Sequence, residues 1–159
     1  VNYKFSSFVT VTLDVTEIPG KNRVFLWTRE PICWVNTDGV KQYVPAGIVS
    51  DGYSYPDFTA SLVRGLPSNL PALFHDWQFW TGEAGSLWAS NMNIYRAIID
   101  VHGSRYTAVK VVAGLTLGSW RPWRRYAKER AEFGYAEMVR RHTATSEAEA
   151  IAIAQKGYV

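Results

Sequence analysis

The chain has 159 residues, of which 47% are hydrophobic, 14% aromatic and 19% charged, and its formal net charge is +3. This composition is typical of one globular domain that buries a sizeable core, and it excludes a disordered or low-complexity protein. A net charge this small does not by itself indicate a nucleic-acid-binding protein. We expect a single domain over residues 1–159, mainly β and loop in 1–56, mainly α in 57–142, with a short terminal helix and tail in 143–159.

The chain carries a single cysteine, Cys33, which excludes an internal disulfide framework and a cysteine-based zinc site. We interpret Cys33 as a small apolar strand residue. The sequence has neither a signal-peptide pattern at its start nor a run of about 18 apolar residues. We therefore expect no transmembrane segment and a protein made in a cytoplasm.

Short β-rich runs occupy the N-terminal part. Residues 8–14 alternate apolar and polar side chains with the period of two that is typical of a half-buried strand. Residues 24–28 and 31–35 are rich in β-branched and aromatic side chains, and the turn formers at 36–39 precede a further run at 40–44. The pattern predicts a small antiparallel sheet that includes a hairpin.

Two polar islands follow. In the first, Asp51 and Ser54 lie in a loop whose glycines and prolines favour fixed, unusual backbone angles. The second is the pair His75-Asp76, inside the apolar, aromatic run at residues 73–80. A buried ionisable pair is costly unless its members are hydrogen-bonded or bound to metal. The second island therefore predicts either a catalytic site or a polar anchor in the core.

Helical signals dominate the second half. Pro71 fits the first turn of a helix that carries residues 72–79, and residues 109–117 predict a third, strongly apolar helix. Between them, Ser86 is placed to cap a second helix. The inner face of that helix is predicted to carry Leu87, Asn91, Ile94, Tyr95 and Ile98. The fold class expected is α+β, an N-terminal antiparallel sheet packed against a C-terminal set of helices.

Residues 120–126 mix tryptophan and tyrosine with arginines, as single-stranded nucleic-acid sites and phosphate sites do. The same segment also fits the start of an ordinary helix, with Pro122 in its first turn. The predicted inner face of that helix is Trp123, Ala127, Ala131, Tyr135 and Met138. Since no nucleic-acid-binding fold signature accompanies the cluster, the sequence favours the ordinary helix.

Ser146 and Glu149 form a capping box, which predicts a short terminal helix through Ala154. We interpret that helix as a docking element rather than a catalytic one. His102 falls at the expected end of the second helix, where an imidazole suits the helix dipole. His142 lies in a basic stretch that we expect to be solvated. Neither histidine has an acidic or histidine partner three or four residues away, as zinc sites do.

Two motifs occur in order along the chain. They are Val44-Pro45-x-Gly47-x-x-Ser50-Asp51-Gly52-x-Ser54-x-Pro56 and Ala72-Leu73-x-His75-Asp76-x-x-Phe79. Together they resemble the motifs of a family of small bacteriophage and prophage proteins of uncharacterised function. The genes of that family lie in tail and late structural modules. The resemblance therefore implies a virion-associated tail or assembly protein, made in the host cytoplasm, whose partners are phage structural proteins or a second copy of itself.

The chain departs from the family pattern at two positions. A helical aspartate of the family falls on Asn91, and a tyrosine after the His-Asp pair falls on Phe79. The family layout is also similar to that of secreted phospholipases A2, in which the histidine activates water, the adjacent aspartate binds calcium and the later aspartate orients the histidine. The calcium-loop glycines and the disulfides of that enzyme class are missing here.

The phospholipase similarity implies a role for each residue of the second island. His75 would be the general base, Asp76 a ligand of calcium or another divalent metal, or an orienting group, and Asn91 a defective orienting partner. An amide accepts a hydrogen bond from imidazole but does not stabilise the imidazolium as a carboxylate does, so weak or absent catalysis is expected. Asp51 would serve as a second carboxylate and metal ligand, with Ser54 beside it, if the loop reaches the histidine.

A non-catalytic alternative uses the same residues. In it His75, Asp76, Asp51 and Ser54 satisfy one another in a polar core that pins the loop to the helix. Three functions remain open: a structural or adaptor subunit, a metal-assisted hydrolase acting on envelope lipid or peptidoglycan, and a phage factor that binds a host protein.

The aromatic content, 7 Trp, 9 Tyr and 7 Phe, exceeds what a core of this size needs. Aromatic residues and arginine are enriched at the hot spots of protein interfaces. We therefore expect a specific interface that includes part of residues 120–126 or of the terminal helix at 147–154.

Overall fold

The protein is α+β, as the sequence predicts, with short antiparallel strands in the N-terminal half and helices in the C-terminal part. A computed structural model describes residues 4–5, 13–17, 24–35, 41–51 and 70–156. The chain divides into two compact units, of which the first is Val1–Gly52 with Val139–Val159 and the second is Tyr53–Met138. The single domain over residues 1–159 stays a prediction.

The described strands all belong to the first unit. They are β1 (Lys4–Phe5), β2 (Leu13–Glu17), β3 (Val24–Thr28), β4 (Ile32–Val35), β5 (Lys41–Val44) and β6 (Val49–Ser50). They form two three-stranded antiparallel sheets, in the orders β1-β4-β5 and β2-β3-β6. The predicted antiparallel sheet region is confirmed, and its described strands divide into two sheets, because periodicity identifies strands but not their partners.

The strand predictions that fall on described residues are otherwise confirmed. β3 covers residues 24–28, and β4 and β5 pair with Ile32 opposite Val44. The turn at 36–39 and most of the run at 8–14 lie outside the described residues. β6 was not predicted, because a two-residue strand inside a polar loop has no periodicity to detect.

The described helices are α1 (Leu70–Thr81), α2 (Leu87–His102), α3 (Arg105–Gly118), α4 (Trp120–Phe133), α5 (Tyr135–His142) and α6 (Glu147–Lys156). The first four belong to the second unit, in which α1 packs against α2 and α4, and α2 packs against α3. The core between α2 and α3 consists of Ile94, Ile98, Ala108 and Val111. The boundary between the units falls within α5.

α6 closes the first unit by packing against β3 and β6. Ala150 and Ala154 lie one turn apart and are small enough for the helix to approach the aromatic side chains of β3. The predicted cap is present, since the Ser146 hydroxyl accepts a hydrogen bond from the Glu149 amide at 3.3 Å. The Glu149 carboxylate reaches back one residue further than expected, to the amide of Thr145 at 2.8 Å.

α2 begins and ends where the sequence predicts. The Ser86 hydroxyl accepts a hydrogen bond from the Ala89 amide at 3.1 Å, and His102 is the last helical residue. Gly103 follows in the left-handed conformation, with φ 66°, and its amide donates to the Ile99 carbonyl. This is the usual way in which glycine ends a helix.

The predicted inner face of the helix after Pro122 was wrong for three of its residues. Trp123 is half-buried and Met138 is buried, but the middle positions Ala127, Ala131 and Tyr135 are exposed. Gly134, with φ 79° and ψ 166°, ends α4, so that α5 does not continue its register. The spacing read from sequence therefore combined two separate helices.

α3 covers the third predicted helix and begins earlier than predicted. The Ser104 hydroxyl caps it by accepting a hydrogen bond from the Thr107 amide at 3.2 Å. Although most of its residues are apolar, it buries only Ala108 and Val111 fully. Among the described residues, no helix has the length and apolar character needed to cross a membrane.

Candidate functional site

His75 lies in the middle of α1, a helix whose side chains are buried on most of its circumference. Its own side chain is 6% exposed, and that of Asp76 is half-buried. A helix with so little exposed surface places any polar side chain on it in a poorly solvated environment. The ring of His75 therefore depends on protein groups for its hydrogen bonds.

The partner of His75 is Asn91 on α2. Nε2 of the imidazole lies 3.1 Å from Oδ1 of the amide, and the Asn91 side chain is only 1% exposed. Because Oδ1 is an acceptor, Nε2 carries the proton and donates it, and Nδ1 is then the unprotonated nitrogen of a neutral ring. The structure thus brings together the two residues that the phospholipase similarity placed as base and orienting partner.

The polar contact continues from α2 to α3. Nδ2 of Asn91 donates to Oγ1 of Thr116 at 3.5 Å, and the Thr116 hydroxyl donates to the Val112 carbonyl at 2.8 Å. We call this connected set, His75 to Asn91 to Thr116, the polar chain. It joins three helices by side-chain hydrogen bonds. Sequence reasoning missed Thr116, because a threonine in an apolar helix gives no signal of its distant partner.

Burial lowers the pKa of His75 to about 4, and the hydrogen bond to Asn91 only partly opposes this effect. The imidazole is therefore neutral at pH 7. A general base works best when its pKa lies near the operating pH, so a histidine with so low a pKa is a weak base for activating water. A neutral ring that donates to an amide is well suited to a buried anchor between helices.

The other side of the histidine contacts an aromatic stack. Its ring centroid lies 4.4 Å from that of Phe79, which meets the Trp123 ring edge-on at 5.1 Å. The guanidinium of Arg130 lies 5.0 Å from the centre of the Trp123 ring and donates to the Phe79 carbonyl. It also passes so close to Gly82 that a Cβ there would lie 2.7 Å from its Nε. Phe79 is thus a packing residue without a hydroxyl to satisfy.

Asp76 faces different neighbours. Burial raises the pKa of Tyr126 on α4, and the nearby charge of Asp76 adds to the rise. Consecutive helical residues point about 100° apart, so adjacent side chains on α1 need not share a site. The charge of Asp76 thus acts on Tyr126 of α4, whereas the imidazole of His75 bonds to Asn91 of α2.

The described part of the first island belongs to the first unit. Asp51 is half-buried and follows β6 in the first unit, whereas His75 belongs to the second. Ser54 lies outside the described residues. That the first island forms one site with His75 and Asp76 stays a prediction. In the part of the chain that is described, no three His, Cys, Asp or Glu side chains form a group that could hold a metal ion.

Gly47 of the first motif has a clear structural role. It adopts φ 91°, and its carbonyl accepts a hydrogen bond from the Ala144 amide at 2.7 Å. A Cβ at Gly47 would lie 2.6 Å from the Ala144 carbonyl oxygen, closer than real contacts allow. That oxygen also accepts from Nε1 of Trp27 at 3.3 Å. The glycine therefore allows the segment before α6 to lie against the loop before β6.

The sequence analysis also did not identify a polar contact made by Glu83. Glu83 accepts a hydrogen bond from Nε1 of Trp77 at 2.9 Å and another from the Tyr135 hydroxyl at 2.7 Å. Burial, with the adjacent Glu83 carboxylate, raises the pKa of Tyr135 to about 12. This contact ties the end of α1 to the start of α5. No local pattern relates residues this far apart in the chain.

The expectation for His142 was wrong. Its side chain is fully buried at the end of α5, whereas Arg140 is exposed and Arg141 half-buried. A stretch of basic residues indicates that some of its positions are solvated, but not which ones. His102, in contrast, ends α2 as predicted.

Comparison of the chain with protein-family models, with curated proteins and with solved structures found no match. The phage resemblance consequently rests on the two sequence motifs.

Proposed function

We propose that the chain is a structural or adaptor protein of a bacteriophage particle, and that its His-Asp motif stabilises the fold rather than catalysing hydrolysis. The observation that carries the second part is the buried hydrogen bond from His75 to Asn91. The first part is supported by the motif resemblance, whose family belongs to tail and late structural modules.

Three features of the histidine favour an anchor. Its ring has little access to water, its low pKa makes it a poor base, and its partner is an amide. A catalytic imidazole gains from a carboxylate that stabilises the imidazolium formed during reaction. Asn91 gives no such charge stabilisation, and it orients the ring equally well in a purely structural role.

Only part of residues 120–126 and 147–154 is exposed enough to form the predicted interface. In α6, Ala150 and Ala154 are buried against the strands of their own unit. In α4, Tyr126 is buried and Trp123 packs on Phe79, so neither offers a free aromatic surface. Trp120 is 56% exposed and is the aromatic residue of that segment available to a partner.

The anchor is tested by comparing stability and hydrolysis in the same variants. We expect His75→Ala to lower the free energy of unfolding by about 1 to 3 kcal/mol, because it removes the donor to the buried Oδ1 of Asn91. We also expect no hydrolysis of phospholipid vesicles or peptidoglycan by the wild-type chain, with or without calcium. Asn91→Asp is the matched control, since it supplies the carboxylate that phospholipases use.

Hydrolysis by the wild-type chain that His75→Ala abolishes without lowering the melting temperature would establish the hydrolase instead.

The phage assignment has its own test. Antibody detection of the chain in purified particles, with light scattering to measure self-association, is expected to find it in the particle. A strict monomer that is absent from particles would contradict the assignment.

A further inference from the structure

The outer face of α3 carries large apolar side chains that the described residues of the second unit leave exposed. Tyr106 is 70% exposed, Val109 56% and Leu117 86%. With Ala113, their spacings of three, four and four residues place them on one face of the helix. At 1.5 Å per residue this stripe is about 16 Å long.

The stripe continues onto the start of α4. α3 ends at Gly118 and α4 begins at Trp120, with only the buried Ser119 between them. Leu117 and Trp120 are thus both exposed at the corner between the two helices. We call the set Tyr106, Val109, Leu117 and Trp120 the corner surface. Exposed apolar side chains grouped in this way, with polar residues around them, mark interaction sites.

The segment of the chain that carries the corner surface is basic. Between Asp100 and Glu129 the chain has no acidic residue, but it has Arg105, Lys110, Arg121, Arg124, Arg125 and Lys128. These are six of the 17 basic residues of a chain whose formal net charge is only +3. The partner of this surface must therefore tolerate, or be attracted by, a concentration of positive charge.

Cations and aromatic rings are paired at both ends of the stripe. Nζ of Lys110 lies 4.2 Å from the centre of the Tyr106 ring, and the guanidinium of Arg124 lies 5.1 Å from the centre of the Trp120 ring. Each pair combines an amphipathic ring with a basic side chain. Tyrosine and tryptophan favour the level of lipid headgroups, and long basic side chains reach from there to phosphate.

We infer that the corner surface docks on an anionic lipid bilayer, with Leu117 and Trp120 inserted at the headgroup level and the surrounding lysine and arginine side chains on lipid phosphates. An exposed apolar stripe with aromatic residues, bordered by basic residues, is the pattern of a helix that lies in a membrane interface. This inference does not depend on whether the chain belongs to a phage particle.

The positive charge of the segment favours an anionic bilayer over a second copy of the chain as the partner of the corner surface. Two corner surfaces placed face to face would bring two sets of basic residues together, and like charges across an interface oppose association. A nucleic acid would satisfy the positive charge but would leave Val109 and Leu117 in water. An anionic bilayer satisfies the apolar and the basic parts of the surface together.

Flotation with lipid vesicles tests the inference on the whole chain. We expect binding to vesicles of phosphatidylcholine mixed with phosphatidylglycerol, weak binding to phosphatidylcholine alone, and release by salt. Leu117→Ala and Trp120→Ala are each expected to weaken binding about tenfold, because each removes one inserted side chain. Arg121→Gln is expected to weaken binding about fivefold on the mixed vesicles only.

Trp88→Ala is the matched control. Trp88 is 65% exposed on α2, more than Trp120, but it lies outside the basic segment. Its substitution is expected to leave vesicle binding unchanged. Circular dichroism of each variant checks that the fold is retained, and the high exposure of Leu117 makes its substitution a safe one for the fold.

Three results would overturn the inference: no binding to either vesicle, equal binding to both, or equal effects of Trp88→Ala and Trp120→Ala. Self-association in light scattering that Leu117→Ala abolishes, without vesicle binding, would assign the corner surface to a protein interface instead.

Discussion

Gly47 in the first unit and His75 in the second both belong to the sequence motifs, but they stabilise the protein in opposite ways. Gly47 acts through what it lacks, since the Ala144 backbone occupies the position where a Cβ would lie. His75 acts through what its side chain donates, since its Nε2 proton satisfies Asn91. Residues in a motif can thus be required for close backbone approach in one place and for hydrogen-bond complementarity in another.

The largest expected effect comes from a substitution that disrupts the close contact between Gly47 and Ala144. Gly47→Ala places a Cβ 2.6 Å from the Ala144 carbonyl oxygen at a positive φ, so both a clash and backbone strain oppose folding. We expect the free energy of unfolding to fall by about 3 kcal/mol or more. Urea unfolding followed by circular dichroism measures the change.

Gly134→Ala is the matched control for strain alone. Gly134 has φ 79°, and a Cβ there would have no neighbour within 4 Å. Its substitution is expected to cost about 1 to 3 kcal/mol. Equal losses for the two variants would show that the contact with Ala144 adds nothing to the strain.

The next largest effect is the loss of stability when His75 is protonated at low pH. The pKa of His75 in the folded chain is about 4, below its ordinary value of 6.5, so the unfolded chain binds the proton more readily between these values. The contribution of neutral His75 to the free energy of unfolding is therefore fully present above pH 6.5, and it decreases as the pH falls toward 4. The total loss attributable to His75 is about 3 kcal/mol.

The pH effect is measured as a difference between the wild type and His75→Phe, which keeps a ring beside Phe79 but does not titrate. At pH 7 we expect the variant to be less stable by about 1 to 3 kcal/mol, because Asn91 loses its donor. The difference should shrink as the pH falls. A difference independent of pH would contradict the burial of a neutral imidazole.

The smallest effect concerns the outer end of the polar chain. Thr116 is exposed, and its contact with Asn91 is long, at 3.5 Å. Thr116→Val is therefore expected to lower the free energy of unfolding by about 0.5 kcal/mol, less than Asn91→Leu, which removes the partner of His75. A loss as large as that of Asn91→Leu in the same unfolding experiment would place the main contribution at the α3 end instead.

Features that depend on neighbouring residues could be predicted from the amino-acid sequence. They include the α+β class, the strand at residues 24–28 and the serine caps of α2 and α6, because each rests on periodicity or on hydrogen bonds within about four residues. The position of His75 in an apolar run likewise predicted a buried polar contact. These features are local, and the structure confirms them.

Which distant groups meet could not be predicted from the sequence and depends on the tertiary fold. Asn91 bonds to His75 because α1 and α2 pack together, and Ala144 lies on Gly47 because the segment before α6 returns to the strands. The burial of His142 was likewise hidden in the sequence. The physical reason is that a side chain's partner is set by how helices and strands cross, whereas residue spacing fixes only the face on which that side chain lies.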